Sequence, residues 1–289
     1  MDERVKLQEL FLSSVDVFSQ IRDAFVESFE GSREAAPEFV AYSSAQMRYY
    51  SERCQSLSIL LQETRLWDCD ILMRSIIECA SQYMFVCISS EPERSEKIHE
   101  YETSLSEIAS ILRTEKARKA AHNTSDADDA MLIGGAALDS AAEATLRSKW
   151  PKASRQALKQ KWSFSEIARQ LETFKAPGLD LTSYGSLLHS YGLGSHLLHA
   201  DQTAMDLMAD RDSREAVERA LMEAAHFARL TVEPTYLFYL CWRGMQFSTG
   251  RAVPHKHILE RISSLGTLSA PFHSAFADSQ RQFYAPKSS

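Results

Sequence analysis

The sequence predicts an all-α protein: a multi-helix bundle with a smaller helical insertion. Three observations predict it. Apolar residues recur at helical spacing along most of the 289 residues. No alternating apolar/polar stretch is long enough for a useful strand. Ten glycines and eight prolines leave few places where long helices would have to break. The chain is long enough to bury a sizeable core, and it shows no internal repeat.

The elements follow in order. Val5, Leu10, Phe11, Val15, Phe18, Ile21, Phe25 and Phe29 predict a first helix over 3–29, ended by Glu-Gly-Ser. Phe39, Met47, Tyr50, Cys54, Leu57 and Leu61 predict a second over 36–63, and a third covers 66–88. Serines, a proline and acids near 89–96 open a fourth helix that runs to about 121. Residues 122–139 are polar and then glycine-containing, which predicts a loop or mobile insertion. Short helices are expected over 140–148, 151–160 and 163–175, before the stop at Lys-Ala-Pro-Gly. Residues 182–208 read as helical with a break at Gly192 and Gly194. A long helix is expected over 212–246, with Ser213 as its N-cap and a kink at Pro234. The pattern is poor after 265, which predicts a loosely packed tail. One domain is therefore expected in four parts: 1–121, an insertion at 122–180, 181–265, and the tail at 266–289.

The formal charge of −7 argues against broad nonspecific attraction to nucleic acid, although a local basic patch remains compatible with it. Cys54, Cys69, Cys79, Cys87 and Cys241 form no C-x-x-C pair and read as reduced core residues. The charged start, MDERVKLQEL, has no apolar stretch of the kind a signal peptide needs. The third helix carries too many charges for a bilayer, and no membrane association is expected. A cytoplasmic location follows as the expectation.

Two segments carry chemistry. On the third helix Asp70, Arg74, Glu78 and Gln82 form an i, i+4, i+8, i+12 row. Trp67, Ile71 and Phe85 fall in the same arc, so the row reads either as an exposed face or as buried, paired charge. The second segment is LLHSYGLGSHLLHAD, residues 187–201. As one helix it aligns Tyr184, Tyr191, Ser195 and His199 on one face, with His189 and His196 on another. Gly192 and Gly194 leave room for a close approach. Three readings stay open: core residues with satisfied polar tips, a metal site of His196, His199 and Asp201, or His199 as an acid/base facing Arg74 and Glu78. Two E-x-x-H sequences, Glu96–His99 and Glu223–His226, have the spacing found in di-iron bundles, but it also arises by chance.

MRSIIECASQYMFV (73–86), followed by Tyr101, Trp162, Tyr184, Tyr191 and SHLLHAD (195–201), resembles the uncharacterised bacterial family catalogued as domain of unknown function 5677. The likeness covers about 66–208 and supports the choice of site residues. A weaker likeness is to the HEPN helical bundles, many of which are metal-independent ribonucleases with four to six residues between an arginine and a following histidine. Arg219 and His226 match that spacing, but Ala220 stands where a polar residue usually follows the arginine.

The resemblance implies an RNA-directed nuclease or toxin of bacterial defence, whose catalytic residues would be Arg74, Glu78 and His199. Asp70, Tyr101, Tyr184, Tyr191, Ser195, His196 and Asp201 would line the site, with no metal and no cofactor. Arg147, Lys149, Lys152, Arg155, Lys159 and Lys161, with a tryptophan near each end of the run, would track a single strand. The same run also reads as a solvated basic face. The rival is a noncatalytic binding or assembly module, held by a structural Arg/Glu/His knot, whose partner is a second copy or another protein. The nuclease reading requires a guanidinium, a carboxylate and an imidazole from the two segments to converge.

Overall fold

The computed structural model describes residues 3–251 and 256–284, and among them it holds helices and no strand. The chain forms two compact units, 1–88 with 168–289, and 89–167.

In the first unit the helices are α1 (Glu3–Ser32), α2 (Pro37–Gln62), α3 (Leu66–Cys87), α9 (Phe164–Thr173, begun in the second unit), α10 (Tyr184–His199), α11 (Gln202–Ser213), α12 (Ala216–Thr249) and α13 (Lys256–Tyr284). Helix α12 packs on α1, α2, α3 and α13, and α3 packs on α2 and α10. The apolar circumference of α3 is buried by this arrangement, from Cys69 through Ile76 and Ile77 to Val86. An aromatic cluster closes the core: Phe18 stacks on Phe238 with centroids 4.3 Å apart, and Tyr50 stacks on Phe238 at 5.1 Å. Pro234 lies inside α12, and its carbonyl accepts a hydrogen bond from the Tyr50 hydroxyl at 2.6 Å. All five cysteines are free and buried. Burial pushes the Cys79 thiol up to about 12.

The second unit contains α4 (Glu93–His99), a π-helical turn (Glu100–Ser104), α5 (Leu105–Asn123), α6 (Ala127–Gly134), α7 (Ser140–Lys149) and α8 (Lys152–Lys161). It begins at 89 and ends at 167, where the sequence had suggested 122 and 180. The reason is that α5 packs on α6, α7 and α8.

Four local expectations are corrected. The loop expected at 122–139 contains α6, because the Asp126 carboxylate accepts from the N–H groups of Asp128 and Asp129 as an N-cap. Helix α10 runs unbroken through Gly192 and Gly194. The chain turns instead at Ala200 (φ 48°), after which Asp201 caps α11. Ser213 ends α11, and α12 starts at Ala216. The expected loose tail is helical over 266–284, as the end of α13, which buries Ile258, Leu265 and Phe272 at seven-residue intervals; residues 285–289 of that expectation lie outside the described residues. No helix among the described residues is long and apolar enough to cross a membrane.

Candidate functional site

Three helices of the first unit meet at Asp70. Gly194 of α10 makes this possible: a Cβ there would lie 2.8 Å from the Asp70 carbonyl oxygen and 3.1 Å from the Arg74 Cβ. Only glycine lets α10 come this close to α3. Gly192 faces open space instead.

Asp70 is 2% exposed. One carboxylate oxygen faces His226 Nε2 of α12 at 2.7 Å, and the other pairs with Arg229, one turn further along α12. Arg229 also donates to Glu233 at 3.0 Å and to Ser190 of α10 at 3.5 Å. Burial would raise the Asp70 carboxyl, but the His226 hydrogen bond and the Arg229 charge outweigh it and hold the group below the usual aspartate range. Glu233 goes the other way, because burial outweighs its Arg229 partner and raises its carboxyl. For Arg229, burial opposes the charge, yet Asp70 and Glu233 together leave the guanidinium more firmly protonated than usual.

An ionised Asp70 can only accept, so Nε2 of His226 carries a proton, and in the neutral imidazole Nδ1 then holds the lone pair. Nδ1 takes no hydrogen bond among the described residues. The Trp67 ring stands edge-on to the imidazole with centroids 5.4 Å apart. One turn along α3 from Asp70, Arg74 donates to the Tyr191 hydroxyl at 3.0 Å and sits 4.6 Å from the centre of that ring. The other terminal nitrogen of Arg74, Nη1, is buried without a hydrogen-bond partner. The arrangement thus offers a carboxylate-held imidazole with one open nitrogen, and a guanidinium with unused donors.

The fates of the predicted residues differ. Asp70, Arg74 and Tyr191 stand together at the junction, with Arg74 on Tyr191. Glu78 is half-buried and forms no ion pair among the described residues, because Arg74 turns to Tyr191 on α10 rather than along its own helix. His199 is exposed at the last residue of α10 and bonds to neither Arg74 nor Glu78. It stands two turns, roughly 12 Å, along the helix from Tyr191. Tyr184 is fully buried in the core with its hydroxyl unpartnered, so it does not line the site. Ser195 is half-buried, and its hydroxyl makes no hydrogen bond among the described residues. His196 Nδ1 lies 2.7 Å from Asp201, which caps α11 at the same time. No group of three His, Cys, Asp or Glu side chains among the described residues is placed to hold a metal ion. Tyr101 belongs to the second unit and packs on Trp162 at 5.3 Å.

Sequence reasoning left His226 out of the site, although it noted two weak spacings there, and passed over Arg229 and Glu233. Their signal was present: 226, 229 and 233 follow i, i+3, i+7 on an otherwise apolar stretch of α12. The Arg219–His226 spacing drew attention to His226, but Arg219 itself is exposed.

In the second unit half of the basic run is paired with acids. Lys149 and the Trp150 indole N–H both reach Glu107, at 2.8 and 2.7 Å. Lys161 and the Trp162 indole repeat the arrangement on Glu100, at 2.8 and 2.9 Å. Arg147 bonds to Glu143 and Glu115, both at 2.7 Å. The tryptophans are therefore structural, and three of the six cations are engaged. Lys152, Arg155 and Lys159, at i, i+3, i+7 along α8, have no acidic partner among the described residues.

The fold and the junction define an all-α protein with a buried aspartate–histidine–arginine cluster. The model of the Family of unknown function (DUF5677) matches residues 41–216, and the chain belongs to that family. No curated protein and no solved structure matches the chain.

Proposed function

We propose that the chain is a metal-independent, RNA-directed nuclease of HEPN-like type, acting in the cytoplasm as a toxin in bacterial defence. The observation that carries the reading is the pairing of His226 Nε2 with the buried Asp70 at 2.7 Å, which leaves Nδ1 open. A histidine held this way is oriented in one tautomer and strengthened as a base. In the proposed reaction Nδ1 takes the proton from a ribose 2′-OH, and O2′ attacks the adjacent phosphorus. The 5′-oxygen leaves and takes that proton back, giving a 2′,3′-cyclic phosphate and a 5′-hydroxyl. Arg74, with its unpartnered Nη1, supplies donors to the non-bridging oxygens as charge develops. Lys152, Arg155 and Lys159 supply backbone contacts.

The test is cleavage of end-labelled single-stranded RNA in the presence of a chelator. Wild type should release cyclic-phosphate ends, and His226→Ala should cut about 100-fold more slowly or worse. A well-folded wild type that cuts no RNA and is harmless on expression overturns the reading.

A second reading has its own support. Asp70, Arg229 and Glu233 satisfy one another, as a purely structural knot would. The chain would then be a noncatalytic binding or assembly module whose partner is a second copy or another protein. Unchanged RNA with wild type and His226→Ala alike favours that reading.

A further inference from the structure

We propose that the first unit carries a separate binding site for a small aromatic alcohol or phenol, in a cleft walled by α1, α2 and α12. The cleft measures about 230 Å³. Phe11, Phe18, Leu57, Leu61 and Leu230 give it an apolar body, and Phe18 is fixed by its stack on Phe238. Such a lining suits a flat apolar ligand.

The polar part of the cleft narrows the ligand class. Ser51 and Ser58 spend their protons on the carbonyls of Met47 and Cys54, at 2.8 and 2.9 Å. Ser14 donates to the Thr231 carbonyl at 2.8 Å and so accepts from the Thr235 hydroxyl, also at 2.8 Å. Thr231 is different. It is 5% exposed and lines the cleft, and its hydroxyl oxygen is buried without a hydrogen-bond partner. A buried hydroxyl left unpaired is costly and rare.

Beside it, Pro234 has no N–H and removes the donor that would bond the Leu230 carbonyl in a regular helix. An unpartnered hydroxyl and a carbonyl that has lost its i+4 donor therefore stand on adjacent residues. A ligand hydroxyl fits both roles, accepting from Thr231 and donating to Leu230. An apolar molecule without a hydroxyl would leave both groups unpaired, and the charged residue of the lining, Arg22, is more than half exposed and already bonded to Ser19 and Asp23, so the cleft does not favour an ion.

The test compares 4-methylphenol with toluene, which share an apolar body, by ligand-observed NMR titration of the full chain. Wild type should bind 4-methylphenol saturably at one site, with toluene at least tenfold weaker. Thr231→Val, which keeps the shape and removes the hydroxyl, should weaken 4-methylphenol about tenfold and leave toluene unchanged. Ser58→Trp, which fills the cleft from its wall, should abolish binding of both. The proposal is overturned if wild type does not bind 4-methylphenol, if toluene binds equally well, or if Ser58→Trp binds as wild type does. Where Thr231→Val does not fold, the toluene comparison and Ser58→Trp decide the matter.

Discussion

The junction at Asp70 and the basic run at 147–161 are built from the same residue types, yet they do different physical work. At the junction one carboxylate, 2% exposed, receives an imidazole and a guanidinium from a helix more than 150 positions away. In the second unit Glu100 and Glu107 each receive a lysine and an indole near the surface, from helices 42 to 62 positions away. Charge taken out of water must be matched group by group, so the junction fixes side-chain positions to the ångström. Charge left at the surface is screened, and its pairs mainly fix how helices lie. A pattern of cations and aromatics therefore says little about function until the depth of its partners is known.

Four experiments would break or sharpen this contrast. The largest effect is expected at Asp70. Asp70→Ala leaves Arg229 without its main partner in a buried setting and should cost about 3–5 kcal/mol in denaturant unfolding. A cost below about 1 kcal/mol would place Asp70 in the same class as the surface glutamates.

The second is the acid limb of stability. The Asp70 carboxyl lies below its ordinary value of 3.8 in the folded chain, so the folded state holds fewer protons there than the unfolded state. Its stabilisation is complete above that value and is lost as pH falls through the folded one. Acid unfolding of Asp70→Asn should therefore be less steep than that of wild type, and parallel curves would refute the assignment.

The third concerns Glu233, whose carboxyl is raised above 4.5 by burial. Here stability declines as pH rises through the folded value, because the buried group must then ionise. Glu233→Gln, which keeps a neutral hydrogen-bonding group, should melt no lower than wild type at neutral pH. A clear drop would mean that Arg229 needs both carboxylates charged. The smallest effect belongs to the surface clamps: Lys149→Ala should cost less than about 1 kcal/mol and fade further in high salt.

The all-α class was legible because periodicity survives in the long helices α1, α2, α3 and α12, and α3 declared its burial through apolar residues on all sides. The approach of α3 to α10 was legible through Gly194 and Tyr191. The partner of Asp70 was not. The Arg74–Glu78 spacing suggested a pair within one helix, whereas Arg74 gains both a hydrogen bond and a ring face by crossing to Tyr191. His199 attracted notice because it lies in a histidine-rich stretch, but it sits past the crossing point, where α10 has run out into solvent. His226 was visible only as one member of a chance-prone motif, since nothing local to α12 reveals that its face meets Asp70. The seven-residue spacing of Ile258, Leu265 and Phe272 was masked by the serines, alanines and proline among them.

The most direct test of the junction is the tautomer of His226, read from the nitrogen chemical shifts of its imidazole at neutral pH. The account predicts a proton on Nε2 in wild type, donated to Asp70, and loss of that preference in Asp70→Asn. A proton held on Nδ1 in wild type, or a ring that shows no change when Asp70 is replaced, would contradict it.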